Sequence, residues 1–237
     1  MPSIKSSHQL CTVLVLAVLA VTGTTIYQSD AADAGKGADN SFPKLINTEN
    51  PDAKLSNAED ALAGMKVPDG FTISLFASEP DVNQPIALAT DDRGRLWVAE
   101  NYTYAQRETN FDDTMRDRVV ILEDNDDDGK FDKRTEFWDQ GRRLTSVEIG
   151  YGGVWVLDAP NLLFIPDRDG DDIPDGEPVV MLDGWDDEAV RHNIVNGLRW
   201  GPDGWLYGRH GIMATSLVGR PGATPDQRTS LNCCVWR

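Results

Sequence analysis

The run Asp124-Asn-Asp-Asp-Asp-Gly-Lys-Phe-Asp132 places carboxylates at positions 1, 3, 5 and 9 of a loop, with Gly129 at position 6. That is the D-x-D-x-D-G spacing of a calcium loop, in which Asp124, Asp126, Asp128, Asp132 and the Lys130 carbonyl surround one point. Repulsion among these carboxylates costs stability, and a hard divalent cation bound through oxygen relieves it. The position-12 glutamate of an EF-hand is absent, since Thr135 stands there and Glu136 comes one place late. Forty-three residues on, Asp167, Asp169, Asp171 and Asp175 repeat the spacing, with Asp172 in place of the glycine. The second turn must therefore be made differently, with help from Gly170. A solvated acidic hairpin is the alternative for each loop. The recurrence points to hairpin staples and a structural role for calcium.

A second constellation is Arg191-His192-Asn193-Ile-Val-Asn196-Gly-Leu-Arg199-Trp-Gly-Pro-Asp203. Outside the leader, His192 and His210 are the only histidines. A histidine in a connection between repeats is placed to take a proton from a substrate hydroxyl. Arg191, Arg199 and Arg209 could hold an anionic cofactor or substrate. The alternative for His192 is a loop brace, and the case for His210 is weaker still. Asn101-Tyr-Thr103 matches a glycosylation sequon, a short and weak motif.

The elements that position these residues read as short strands. Phe71–Phe76, Pro85–Ala89, Leu96–Ala99, Val119–Leu122 and Thr135–Trp138 form one series of apolar runs separated by turns. Ser146–Ile149, Val154–Leu157, Leu162–Ile165 and Val179–Leu182 form a second. Gly197–Trp200 and Trp205–Tyr207 open a third. A phrase of turn followed by Leu-Trp, Val-Trp or Leu-Tyr recurs around Trp97, Trp155 and Tyr207, and these rings are expected to pack between repeats. The cadence predicts an all-β fold, a β-propeller of four-stranded blades that is here incomplete, with about two full blades and part of a third. The remaining C-terminal part of the protein or a partner chain is then needed to close the ring. Ahead of the strands, Ser56 and Glu59 in capping-box spacing predict a short helix stopped at Pro68-Asp-Gly70.

The domain organisation follows. Residues 1–34 read as a signal peptide, with Lys5, the 12-residue apolar core Leu10–Val21 and the Ala32-Asp-Ala34 cleavage site. That core is short for a membrane span, which needs about 20 residues. The expected location is exported, periplasmic or at the cell envelope, with an uncleaved membrane anchor as second choice. Residues 35–66 are a flexible lead-in with the helix, and 67–237 the propeller domain. The net charge of −17 excludes a nucleic-acid footprint. Three cysteines, two of them the adjacent Cys233 and Cys234, make no disulfide framework. No CxxCH motif occurs, so haem c has no attachment site in this chain.

The stretches HNIVNGLRWGPDGWLYGRHG, VGRPGATPDQRTSLN and VWR, with NQPIALATDDRGRLWVAE and VVILEDNDDDGKFDKRTEF earlier, carry a family resemblance over residues 66–237. They resemble the N-terminal domain of the PVC-type exported haem-binding CxxCH proteins, also called membrane-bound dehydrogenases. That domain is similar to the quinoprotein glucose/sorbosone dehydrogenases. The resemblance implies a propeller, dependence on pyrroloquinoline quinone and calcium, and oxidation of a sugar-like or alcohol substrate with His192 as the proton acceptor. His192 precedes the Gly-Pro-Asp turn much as the quinoprotein base does, although the spacing differs. A non-catalytic, calcium-stabilised propeller that binds carbohydrate or a protein partner is the alternative.

Overall fold

The computed structural model describes residues 56–105, 109–188 and 194–237. Four strands, β1 (Pro85–Thr90), β2 (Leu96–Glu100), β3 (Asp117–Glu123) and β4 (Lys133–Gly141), pair antiparallel in chain order. The same meander is repeated by β5 (Leu144–Ile149), β6 (Gly153–Asp158), β7 (Asn161–Pro166) and β8 (Val179–Asp183). A third sheet holds β9 (Val195–Trp200), β10 (Leu206–His210) and β13 (Val235–Trp236), with β10 central. Between them, β11 (Ser216–Val218) pairs with β12 (Thr229–Leu231). Among the described residues the protein is mostly β, built of several antiparallel sheets with no closed barrel.

Side-chain alternation along the strands sets the packing. On β6, Val154 and Val156 join a core with Trp97, Val119, Ile121 and Phe137 of the first sheet. The intervening Trp155 and Leu157 face the opposite way, toward Leu198, Leu206, Trp185 and Val218. On β7, Leu163 and Ile165 join the first core and Leu162 the second. The middle sheet is thus apolar on both faces. The outer face of the first sheet, Val98, Val120 and Leu122, is covered by Phe76, Val82 and Phe131.

Several expectations need correction. Residues 71–76 alternate in polarity but form no strand. Phe71 and Ile73 are exposed, and only Phe76 is stitched to the body, its carbonyl accepting from Phe131 N at 3.3 Å. Helix α1 spans Ala58–Gly64, and its cap is Asn57, whose Oδ1 accepts from Asp60 N at 2.7 Å, one place after the expected Ser56. The stretch after Tyr207, rich in Gly, Arg, Pro and Thr, contains β11 and β12, for which no strand was expected. Residues 1–55, including the leader, lie outside the described residues.

The joint between the first two sheets is built on two buried carboxylates. Asp117 accepts from Thr103 N at 2.7 Å and Leu144 N at 2.8 Å. The Thr103 hydroxyl lies between Asp117 Oδ2, at 3.1 Å, and the Arg142 carbonyl, at 2.5 Å. Asp158 accepts from Arg142 N and Arg143 N at 2.9 and 2.6 Å. Burial pushes Asp117 up to about 7, against the pull of its backbone donors, and pushes Asp158 up to about 6. A carboxyl with a raised folded-state pKa binds its proton more tightly folded than unfolded, so stability falls as pH rises through that window. Asp91 and Asp172, held low by arginine and other hydrogen-bond partners, act oppositely and lose their contribution only below pH 4 or so. The expected thermal midpoint is therefore higher at pH 5 than at pH 8. Asp117→Asn should flatten that slope, by about 1 kcal/mol per pH unit across the window, as read from urea melts along a pH series.

Candidate functional site

The two acidic loops connect β3 to β4 and β7 to β8, and the two hydrogen bonds made by the position-9 aspartate are the same in both. The position-9 carboxylate accepts from the position-2 amide in both: Asp132 from Asn125 N at 2.7 Å, Asp175 from Arg168 N at 2.6 Å. The position-9 amide donates back to the residue before the loop, Asp132 to the Glu123 carbonyl and Asp175 to the Pro166 carbonyl. The first carboxylate accepts from the turn, Asp124 from Gly129 N at 2.8 Å and Asp167 from Gly170 N at 2.9 Å.

Asp124, Asp126 and Asp128 present oxygens within 4.8 Å of one another, and so do Asp167, Asp169 and Asp171. Asp132 and Asp175 are outside these triplets and brace the loop backbone. Asp124 Oδ1 is buried without a hydrogen-bond partner, which suits an oxygen waiting for a cation. Burial and the neighbouring Asp171 charge push the Asp167 carboxyl up, against its backbone donors. The donor set is all oxygen and anionic, and it fits calcium.

Asp172, the departure at position 6, has its own partner. Its backbone is left-handed, with φ of 69°, like that of Gly170. Its carboxylate receives both Arg95 Nη1, at 2.6 Å, and Nη2, at 2.8 Å, from the turn between β1 and β2. Arg95 Nε reaches Asp91 Oδ2 at 2.8 Å, and Asp91 also accepts from Trp97 Nε1 at 3.0 Å. Glu123, the residue before the first loop, lies 3.5 Å from Arg95 Nη1. One buried arginine thus ties the second loop to the first sheet.

On the inner side, β1, β5 and β9 lie side by side, with Leu198 N donating to Ser146 Oγ at 2.9 Å. They wall a cleft of about 940 Å³, completed by β10 and by Tyr104, Phe111 and Arg143. Arg143, Arg199 and Arg209 line it, and no Asp or Glu does among the described residues. Arg199 pairs with the buried Glu148 at 3.3 Å. Burial raises the Glu148 carboxyl and Arg199 pulls it back. Arg143 pairs with Asp187 at 3.1 Å and lies 4.9 Å from the Phe111 ring centroid. Arg209 lies flat on Gly197, where an added Cβ would sit 2.4 Å from its Nε and Nη2. Gly197 has φ of 70°, so a side chain there is excluded twice over.

The structure thus brings Arg199 and Arg209 to one cleft. Arg191 and His192 lie outside the described residues, and Ile194, shortly after them, is on the cleft wall. His210 is a brace: it is buried, with Nδ1 at 2.7 Å from the Gly211 carbonyl and Nε2 at 2.7 Å from Ser216 Oγ. Asn101 is buried and donates to the Leu144 carbonyl, so the sequon is spent on structure. Cys233 and Cys234 are free thiols, as expected. Sequence reasoning missed Arg143. Its only local signal is the Arg142-Arg143 pair just ahead of a strand.

The Arg95 clamp is directly testable. Its side chain and those of Asp91 and Asp172 are 7%, 6% and 12% exposed, so Arg95→Met leaves two buried carboxylates without their counter-charge. The expected loss is about 3–5 kcal/mol in urea denaturation. Asp172→Gly, which restores the glycine of the first loop, should cost less.

No curated protein and no solved structure matches the chain. Residues 57–237 match the family model described as a domain of unknown function, DUF7133. The meanders, both acidic loops and the arginine-lined cleft all fall within that span, and the chain belongs to the DUF7133 family.

Proposed function

We propose that this chain is a propeller-type domain, stapled by calcium at its acidic loops, whose cleft holds an anionic small molecule. The observation that carries the reading is the cleft lining: three arginines and no carboxylate, in a chain of net charge −17. Arg199 and Arg143 are balanced by Glu148 and Asp187, which are not among the lining residues, so Arg209 carries the positive charge most open to a ligand. The propeller reading is supported by two successive four-stranded meanders whose first strands lie side by side with β9. Continuation of the ring would come from further chain or a partner.

The resemblance to the exported CxxCH proteins and quinoprotein dehydrogenases gives the anion a chemical class. Pyrroloquinoline quinone carries carboxylates, and Arg199, Arg209 and Arg143 are the residues that would hold them. When bound, the quinone supplies a two-electron acceptor for oxidation of a sugar-like alcohol. In this reading His192 takes the hydroxyl proton, and Arg191 beside it adds positive charge. Export, read from Lys5 and Leu10–Val21, would deliver the domain to a calcium-rich compartment.

Two experiments test this. Calcium added to chelator-treated protein should raise the thermal midpoint by several degrees, since a ligand at about 100 times its Kd stabilises by about 2.7 kcal/mol. Asp124→Asn and Asp167→Asn should each remove part of that shift. An unchanged midpoint would remove calcium from the reading. Separately, the quinone should raise the midpoint of the calcium-loaded protein, and Arg209→Ala should weaken its binding about tenfold or more. Absence of any quinone-dependent shift, with no dye reduction in the presence of sugars, would sink the dehydrogenase reading.

A further inference from the structure

At the turn edge of the second and third sheets, two aromatic rings stand in water. Tyr151 is 74% exposed and Trp205 is 56% exposed. They sit on neighbouring turns, between β5 and β6 and between β9 and β10, where the Tyr151 hydroxyl approaches the Gly204 carbonyl at 3.4 Å. Tyr151 has φ of 58°, a left-handed conformation that is costly for a bulky residue. Its ring rests against Trp200 with centroids 4.7 Å apart. Three-quarters of its surface nevertheless stays in solvent, so burial gives little to offset that strain. Asparagine or glycine would make the same turn more cheaply.

Beside the rings is a fixed set of polar groups. Asp203 accepts from the Tyr207 hydroxyl at 2.7 Å and from Trp205 N at 3.3 Å. Arg237 Nη1 lies 3.5 Å from Asp203 Oδ2, and its guanidinium lies 5.3 Å from the Trp205 ring centroid. The Tyr207 ring belongs to the cleft wall, so this platform begins where the cleft ends. It also adjoins the second acidic loop, because Asp167 N donates to the Gly152 carbonyl at 3.0 Å.

We infer that this edge is a binding platform for a neutral oligosaccharide. A pyranose presents a face of C–H groups to an aromatic ring and a rim of hydroxyls to charged and hydroxyl partners. Tyr151 and Trp205 supply the first, and Asp203, Tyr207 and Arg237 the second. The neighbouring acidic loop repels uronates and sulfated sugars, which selects the neutral class. The platform shares Tyr207 with the anion cleft and requires no quinone.

The test is titration of the full chain with cellohexaose, maltohexaose and laminarihexaose, followed by tryptophan fluorescence and calorimetry. At least one should bind. Tyr151→Asn, which suits the left-handed turn while removing the ring, and Trp205→Ala should each weaken that binding about tenfold or more, with thermal midpoints unchanged. Binding of none of the three sugars at millimolar concentration would overturn the inference. So would wild-type affinity in both ring variants.

Discussion

The constraint on which this structure rests is that the sheet β5–β8 must bury both of its faces. An antiparallel sheet usually keeps one face for water. Here Val154, Val156, Leu163 and Ile165 point one way, and Trp155, Leu157 and Leu162 the other. Neither face can be left open, so a sheet has to lie on each side. Stacking of this kind brings the first strands β1, β5 and β9 together on one side and sends the hairpin turns to their ends. The cleft and the acidic loops are two consequences of one packing requirement.

Charge is distributed over that frame unevenly. The acidic groups collect in the β3–β4 and β7–β8 loops, where solvent screens them and a cation can balance them. The arginines have more particular duties. Arg95 is buried among Asp91, Asp172 and Glu123, Arg134 serves the buried Glu100 at 2.9 Å, and Arg228 holds Asp183. In the cleft three arginines line the wall with no carboxylate among the lining residues, although Arg143 and Arg199 keep Asp187 and Glu148 as partners. A buried guanidinium is held by its partners, whereas Arg209 is held by shape, against the bare backbone of Gly197. That difference sets Arg209 apart from the arginines held by carboxylates, Arg143 and Arg199 of the cleft among them.

What could be read in the sequence follows from how local each cause is. The strands of the two meanders are legible because apolar residues fall at short, turn-bounded intervals, and their boundaries shift by at most three residues, the largest shift being at the end of β4. The run 71–76 shows the limit of that signal, because alternation describes a side chain's surroundings and a strand exists only through its partner. β11 and β12 escaped notice because three residues are too few to show a period. The carboxylate triplets were legible because one loop supplies all their members. The cleft was legible only in part: Arg199 and Arg209 stand near each other on paired strands, but Arg143 arrives from the start of another sheet. Asp117 and Asp158 carried no signal, since an aspartate beside a strand reads as a turn until its donors are known.

The substitution at position 6 of the second loop shows how a departure from a motif can hold more information than the motif. Read against the calcium spacing, Asp172 is a defect, since glycine makes that turn at lower cost. Two facts account for it together. The left-handed backbone that glycine would supply is adopted by aspartate, one of the few residues that tolerate it. The carboxylate then extends from the turn to Arg95, 77 residues away, in a two-point contact that a glycine could not make. The first loop, with Gly129, holds its own hairpin and, through Phe131, the segment that carries Phe76. The second lies against the turn of the preceding sheet, and there a side chain with reach and charge is worth more than an easy turn. The two loops therefore share a triplet of carboxylates but divide the structural labour, and the second is the one that joins sheet to sheet.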